Sequence, residues 1–388
     1  MGYNFYIGGI QRALINILHE LSSDRELEID LLLFSNKGEM SQEIPGNVNV
    51  IKSNYFLTLA ATPFSEVVRN SSILDRIIRI FLTILVRLVG SKNFFKFLFS
   101  MQNKMGDYDV AISYFNDIPK GYFNRGSNQF VIENVVASKK IGWIHTDPIE
   151  AKFNRKKCLE TYRKFDSIVN VSKAGKDKFD KFLPEYKKKS FVVYNIFPYN
   201  TINERANEYE PNYEKDIINF VTVARIDNTS KRIDRIIEVV KMLKMNGYGN
   251  FKWWLVGDGP DWEKNRALVE QYSLMGLIEF TGKKVNPLPY VKHADAFVLA
   301  SDYEGYPMVV GEALALGTPV ITTSYASVEE QLENGVNGII VKTDTNALFD
   351  VIRKVLDDEN ILLNLKEQVK EKNMKNGLAL SQFKAILY

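Results

Sequence analysis

From residue 217 onward, short apolar runs alternate with longer amphipathic stretches. The runs are 219–224 (NFVTVA), 251–256 (FKWWLV), 277–281 (LIEFT), 296–300 (AFVLA), 319–323 (PVITT) and 338–341. Each has the length of a strand, and apolar residues on both alternating faces predict strands covered on both sides. Between them the apolar spacing predicts helices over 231–245, 260–274, 286–294, 307–316, 326–333 and 345–357. Strand and helix in alternation predict a parallel sheet with helices on both faces.

The first half alternates too, with a helix at 10–22, runs at 28–34, 48–51, 109–115 and 140–144, a helix near 150–164, and runs at 167–171 and 190–194. Between the halves, NTINERANEYEPNYEKD (200–216) is polar, carries Pro211 and lacks periodicity. The pattern predicts an N-terminal domain over 1–197, a linker over 198–216, a C-terminal domain over 217–370 and a terminal helix over 371–388. The fold class is α/β, with ligands expected in a cleft between two sheets, at the carboxyl ends of their strands.

One stretch departs from this pattern. Residues 69–104 hold seven Lys or Arg and one acid, Asp75, a net of +6 in a chain whose total is +3. Arg76, Arg79 and Arg87 interrupt its apolar positions, so it lacks the run of about 20 apolar residues that a membrane span needs. Two readings fit: helices lying on an anionic bilayer with Phe94, Phe95, Phe97 and Phe99 dipping inward, or core helices with solvated basic faces.

Composition narrows the field. The 388 residues suffice for two domains, and a net charge of +3 gives no general case for nucleic acid. A single cysteine, Cys158, excludes an intramolecular disulfide and fits a reducing cytoplasm. His19, His145 and His293 are scattered, and no metal is expected. No signal peptide is visible in MGYNFYIGGIQRAL.

Candidate chemistry gathers at predicted strand ends. In SDYEGYPMVVGEALALGTPV (301–320), seven residues separate Glu304 from Glu312. Pro307 suits a first helical position and Gly317 the position past the end. Glu312 falls on an apolar helix and needs a partner there: an Arg, a Lys, a backbone amide or a ligand hydroxyl. Arg225 closes FVTVAR, and Lys231 and Arg232 open the helix that follows. Three cations at a helix start suit an anion such as a diphosphate, or else are solvated surface charges. GDGP (257–260) and the pair Gly8-Gly9 are tight turns, weak signals alone. DYD (107–109) has the letters of a metal motif but precedes its apolar run, and reads as a strand start.

The order GGIQRAL, IGWIHTD, NVSKAGKDKF, VVYN, VARIDNTSKRIDRIIEVV, LVGDGP, EFTGKK and YVKHADAFVLASDYEGYPMVVGEALALGTPVI resembles family four of the glycosyltransferases, over roughly residues 8–342. The paired-glutamate block is its most specific part. The resemblance implies a retaining, nucleotide-sugar-dependent enzyme with the GT-B fold, two facing Rossmann-like domains. Carried over, Glu304 would bind the donor sugar's hydroxyls and Glu312 the ribose. Gly305 and the backbone of Tyr306, Pro307, Met308 and Val309 would hold phosphate oxygens. Arg225 and Lys231 would stabilise the leaving diphosphate in place of a metal, with Gly257 in the adjoining turn. His145 would lie near the anomeric carbon, Gly8 and Gly9 would admit diphosphate and acceptor, and the backbone around Lys283 would meet the base. The expected partners are a nucleotide-sugar donor, a lipid-linked or glycan acceptor and an anionic membrane surface on the cytoplasmic side, without a cofactor. The product class implied is cell-surface polysaccharide, capsule included.

Two features depart from the family pattern. Only seven residues precede Gly8, so either the start is misplaced or the first strand of the N-terminal sheet is expected to be missing or truncated. Ser230-Lys231-Arg232 also alters the phosphate loop. Alternatives are a non-catalytic degenerate partner, or a nucleotide-sugar epimerase or phosphorylase of the same architecture.

Overall fold

The computed structural model describes residues 1–115, 117, 126–371 and 377–388. They fall into two compact units, Met1–Ile196 with Gly377–Tyr388, and Phe197–Asn376.

In the first unit the strands are β1 (Asp30–Leu33), β2 (Asn49–Lys52), β3 (Met105–Ser113), β4 (Val135–Ile144), β5 (Ser167–Asn170) and β6 (Ser190–Val192). β1 and β2 form a parallel pair, and β3-β4-β5-β6 a parallel sheet. Residues 1–3 bridge the two. The Gly2 N–H donates to Leu32 O at 2.9 Å and Ser35 N–H to Tyr3 O at 3.0 Å, while Tyr114 N–H donates to Met1 O at 3.1 Å. The first strand, expected to be missing or truncated, is a three-residue segment between β1 and β3 that satisfies backbone groups on both neighbours.

Two further expectations change. The C-terminal helix, Gly377–Leu387, is part of the first unit rather than a separate element. Its Phe383 ring lies 5.8 Å from Trp143, and Gln382 accepts from Tyr194 N–H at 3.2 Å. Residues 372–376 of the expected terminal element lie outside those described. Over 69–104, Phe94, Phe95 and Phe99 are core residues around Phe34 and Phe130, with ring centroids 5.0–6.3 Å apart, so only Phe97 of the four faces solvent. Their i, i+1 and i+5 spacing puts them on one side of Ser91–Ser100 and Phe97 on the other.

The second unit holds β7 (Ile218–Val223), β8 (Phe251–Val256), β9 (Ile278–Gly282), β10 (Ala296–Leu299), β11 (Val320–Thr323) and β12 (Gly338–Val341) in one sheet, ordered β12-β11-β10-β7-β8-β9. Every pairing is parallel. Consecutive residues Phe220 and Val221, like Phe297 and Val298, are fully buried, as strands covered on both faces must be. Helix Ile233–Met245 packs Ile233, Ile236, Ile237, Val240 and Leu243 against one face. The predicted linker is also corrected. It contains helix Tyr199–Arg205 and belongs to this unit, held by buried Ile202 and by Tyr209 and Tyr213 donating to the carbonyls of Asn286 and Tyr290. The helix expected at 326–333 is a single 3-10 turn, Val328–Glu330.

Candidate active site

β7 and β10 are neighbours, yet the chain leaves β7 toward β8 and leaves β10 toward β11, on opposite sides. That reversal opens a crevice at their carboxyl ends, where ligands of open parallel sheets bind. The segments entering it are 224–232 after β7 and 300–307 after β10.

The first segment is folded by Asp227. Its Oδ1 accepts from Thr229 N–H at 2.8 Å and Ser230 N–H at 3.0 Å, and its other oxygen pairs with Arg225. Burial raises the Asp227 pKa, but the Ser230 amide, the Arg225 charge and the remaining hydrogen bonds outweigh it and hold the group below its ordinary value. Arg225 itself stays largely exposed. Lys231 crosses to the second segment: its Nζ lies 2.5 Å from Glu304 Oε1, which also accepts from Ser301 Oγ at 2.7 Å. Both partners are shielded, at 25% and 10% exposure.

Arg232 turns away from that pair. It adopts φ 52°, ψ 51° and reaches Asp234 and Asp302, at 3.0 Å each. Hydrogen bonding to Asp234 outweighs burial and raises its pKa further. Asp302 also pairs at 2.6 Å with buried Arg235, whose other nitrogen donates to Ala300 O at 2.5 Å, and the Asp302 N–H donates to Ser230 O at 2.9 Å. Of the three cations expected to face one anion, Arg232 is therefore the one turned away, while Arg225 and Lys231 stay at the segment ends, paired with Asp227 and Glu304. Arg232 is neutralised by Asp234 and Asp302, and with Arg235 it clamps the two segments together.

Beyond Glu304 the chain passes through Gly305 and Tyr306 into helix Met308–Ala315. Pro307 is its N-cap, with ψ 124°, rather than its first helical residue. Pro307 has no N–H, so the backbone donors at this end are Tyr306, Met308 and Val309. Glu312 is buried on the same helix, 6% exposed, and is engaged within the protein. Gly311 makes room for Phe197, because a Cβ there would stand 2.2 Å from its ring. Tyr325, 5% exposed, lies behind the site with a hydroxyl that lacks a hydrogen-bond partner. Burial pushes its pKa well up, and Glu304 and Tyr306 push it the same way.

Gly257 supports the first segment from below. At φ +153°, a Cβ would lie 1.9 Å from Ala224 O, and one at Gly259 would lie 2.3 Å from Ile226 O. These two glycines let 257–259 pack against 224–226, with Ile226 N–H donating to Asp258 O at 3.1 Å. Lys283 is exposed just past β9. Among the described residues no group of three or more His, Cys, Asp or Glu side chains is placed to hold a metal. DYD lies inside β3, where Tyr108 donates to Asp30 at 2.5 Å.

The remaining predicted residues belong to the first unit. His145 follows β4 and holds Nε2 at 2.7 Å from the Tyr114 carbonyl. A carbonyl only accepts, so Nε2 carries the proton when the ring is neutral. Its ring packs 4.8 Å from Tyr114. Gly8 caps helix Gly9–Ser22 with φ −177°, a conformation open to any residue, and Gly9 is exposed. Asp227, Ser301, Asp302 and Arg235 are the site residues that reading the sequence missed. Asp227 had a signal, an Asp two residues past a strand-end Arg and just before Asn-Thr-Ser, the makings of a side-chain-closed turn.

Residues 204–373 match the family described as Glycosyl transferases group 1. The colanic acid biosynthesis glycosyltransferase WcaL, a putative assignment in Salmonella typhimurium, is 36% identical over 143 residues, 34% of each chain. The N-acetylgalactosamine-N,N'-diacetylbacillosaminyl-diphospho-undecaprenol 4-alpha-N-acetylgalactosaminyltransferase of Campylobacter jejuni is 26% identical over 211 residues, 54% of this chain and 56% of the relative. These matches thus span about a third to a half of each relative's length. Among solved structures, Anabaena HepE in complex with UDP-glucose superposes with a TM-score of 0.67 at 14% identity, covering 100% of this chain and 98% of the other.

Proposed function

We propose, on the premise that residues 204–373 belong to the glycosyl transferases group 1 family and that the chain has the GT-B fold, that the protein is a glycosyltransferase of cell-surface polysaccharide synthesis. In this reading it moves a hexose, with retention at the anomeric carbon, from a nucleotide diphosphate donor to a lipid-linked or glycan acceptor at the cytoplasmic face of a membrane. One observation carries it: Lys231 and Glu304, from segments after β7 and β10, meet at the switch point of the sheet.

Each residue then has a role. Arg225 and Lys231 stabilise the charge that develops on the departing diphosphate. Because Glu304, Asp227 and the Asp302 clamp already hold this framework, little reorganisation is needed at the moment of reaction. Glu304 accepts from sugar hydroxyls and Glu312 from the ribose. The amides of Tyr306, Met308 and Val309, with Gly305 beside them, receive phosphate oxygens. The backbone at Lys283 meets the base, and Gly257 supports the loop that presents Arg225. In the first unit, Gly8 and Gly9 are the glycines assigned to admit diphosphate and acceptor, and His145 is the residue assigned to the transferred carbon. Departure of the diphosphate leaves an oxocarbenium-like sugar. The acceptor hydroxyl adds on the same face and gives its proton to a phosphate oxygen of the leaving group.

The test is transfer from UDP- and GDP-hexoses to a polyprenyl-diphosphate-linked acceptor, followed by mass spectrometry, with the product anomer assigned by NMR. Lys231→Ala should lower turnover by about 10²–10³-fold, the usual effect of removing one donor to a developing anion. Turnover within a few-fold of wild type, or conversion of donor without acceptor, would overturn the reading.

A further inference from the structure

Helix Ile73–Val89 is apolar on two sides. Its inner side packs Leu82 and Val86 into the core of the first unit. Its outer side exposes Ile73 (74%), Ile77 (58%), Ile80 (49%), Phe81 (60%), Ile84 (51%) and Leu88 (78%). At about 100° per residue these six fall within roughly a third of the circumference, one continuous stripe along a helix about 26 Å long. A helix apolar all round normally has both sides covered, and an exposed patch of this kind marks an interaction surface.

Charge identifies what covers it. Arg87, Lys92 and Lys96 are exposed at the C-terminal end of the helix and on the one that follows, and Arg69 is exposed before its start. The single acid of 69–104, Asp75, is engaged by the Tyr55 hydroxyl and the Ser72 N–H. A second copy packed antiparallel by two-fold symmetry would set Arg87, Lys92 and Lys96 at the end of one stripe beside Arg69 at the start of the other, which electrostatics disfavours. A surface with an apolar interior and negative headgroups suits both features.

We propose that helix Ile73–Val89 docks on an anionic lipid bilayer, its outer stripe among the acyl chains and the flanking cations among the headgroups. This deepens, and for its purpose rests on, the reading of the acceptor as lipid-linked: the docked first unit meets that acceptor at the bilayer surface. It also changes which residues insert, since the outer stripe and Phe97 face solvent while Phe94, Phe95 and Phe99 serve the core. Among the described residues no helix is long and apolar enough to cross a membrane, so the attachment is a docking.

The test is co-sedimentation of the full chain with vesicles of phosphatidylcholine alone and of phosphatidylcholine mixed with phosphatidylglycerol. Wild type should bind the anionic vesicles and be released by salt. The triple variant Ile77→Ser, Phe81→Ser, Ile84→Ser should bind at least about ten-fold more weakly while melting at the wild-type temperature, because all three side chains point away from the core. Arg87→Gln, Lys92→Gln and Lys96→Gln should each weaken binding by about five-fold. No binding by wild type, or equal binding by the triple variant, overturns the proposal. So does a dimer that the triple variant abolishes without any vesicle binding. No sugar donor enters the assay, so vesicle binding by a chain that fails to transfer sugar would refute the transferase reading and leave the docking intact.

Discussion

Exchanging Lys231 for Met removes the cation 2.5 Å from Glu304 and leaves that carboxylate, 10% exposed, with the Ser301 hydroxyl. Hydrogen bonds to charged groups contribute about 1.5–3 kcal/mol, and Lys231 at 25% exposure loses part of this to solvent, so a destabilisation of about 2 kcal/mol is expected. For a domain of this size that lowers the melting temperature by about 4–8 °C. Glu304→Gln should cost less, about 1 kcal/mol, because the freed ammonium can turn toward water. The informative quantity is the coupling: unfolding of wild type, both single variants and the double variant should give an interaction energy of about 1–2 kcal/mol. A coupling below about 0.5 kcal/mol would show that the pair is not held in solution, and with it would fall the argument that the site is organised before the donor arrives.

Two other outcomes follow from the geometry. Gly257→Ala sets a Cβ 1.9 Å from Ala224 O at φ +153° and should cost about 3 kcal/mol or more, whereas Gly249→Ala, with nothing within 4 Å, should stay within about 0.5 kcal/mol; thermal melting of both separates a required glycine from a tolerated one. The Cys158 thiol is buried and pushed up to about 12, so it stays protonated and shielded at neutral and mildly alkaline pH; a disulfide reagent should leave it untouched between pH 7 and 9 and titrate one thiol in denaturant.

Much of this architecture is legible because both strands and helices here follow simple periods. All six strands of the second unit lie within a residue or so of the apolar runs that announce them. What escaped depends on tertiary contact. The segment 199–205 is polar in sequence and becomes a helix because Ile202 finds a buried seat. Residues 1–3 are too few to read as a strand, yet they pair on both sides. The phenylalanines of 94–99 look alike in sequence, and only the direction of the helix decides that Phe97 alone faces out.

At the site, Glu304, Glu312, Arg225 and Lys231 could be named from local pattern. The contacts that join the two segments were hidden, because Lys231 and Glu304 are 73 residues apart and Arg235 and Asp302 are 67 apart. Arg232 shows the limit most plainly. Its position beside Lys231 suggests an anion, and a left-handed backbone turns it to Asp234 and Asp302 instead.

The measurement closest to the central claim is thermal unfolding of the full chain with UDP, GDP and their hexose conjugates, wild type beside Glu312→Gln, without added metal. A donor that binds only the folded state stabilises it by about 2.7 kcal/mol at a hundred-fold excess over its dissociation constant. The account predicts a rise in melting temperature with one nucleotide series, largely lost in Glu312→Gln. A chain that melts cooperatively and shifts with none of them would contradict it.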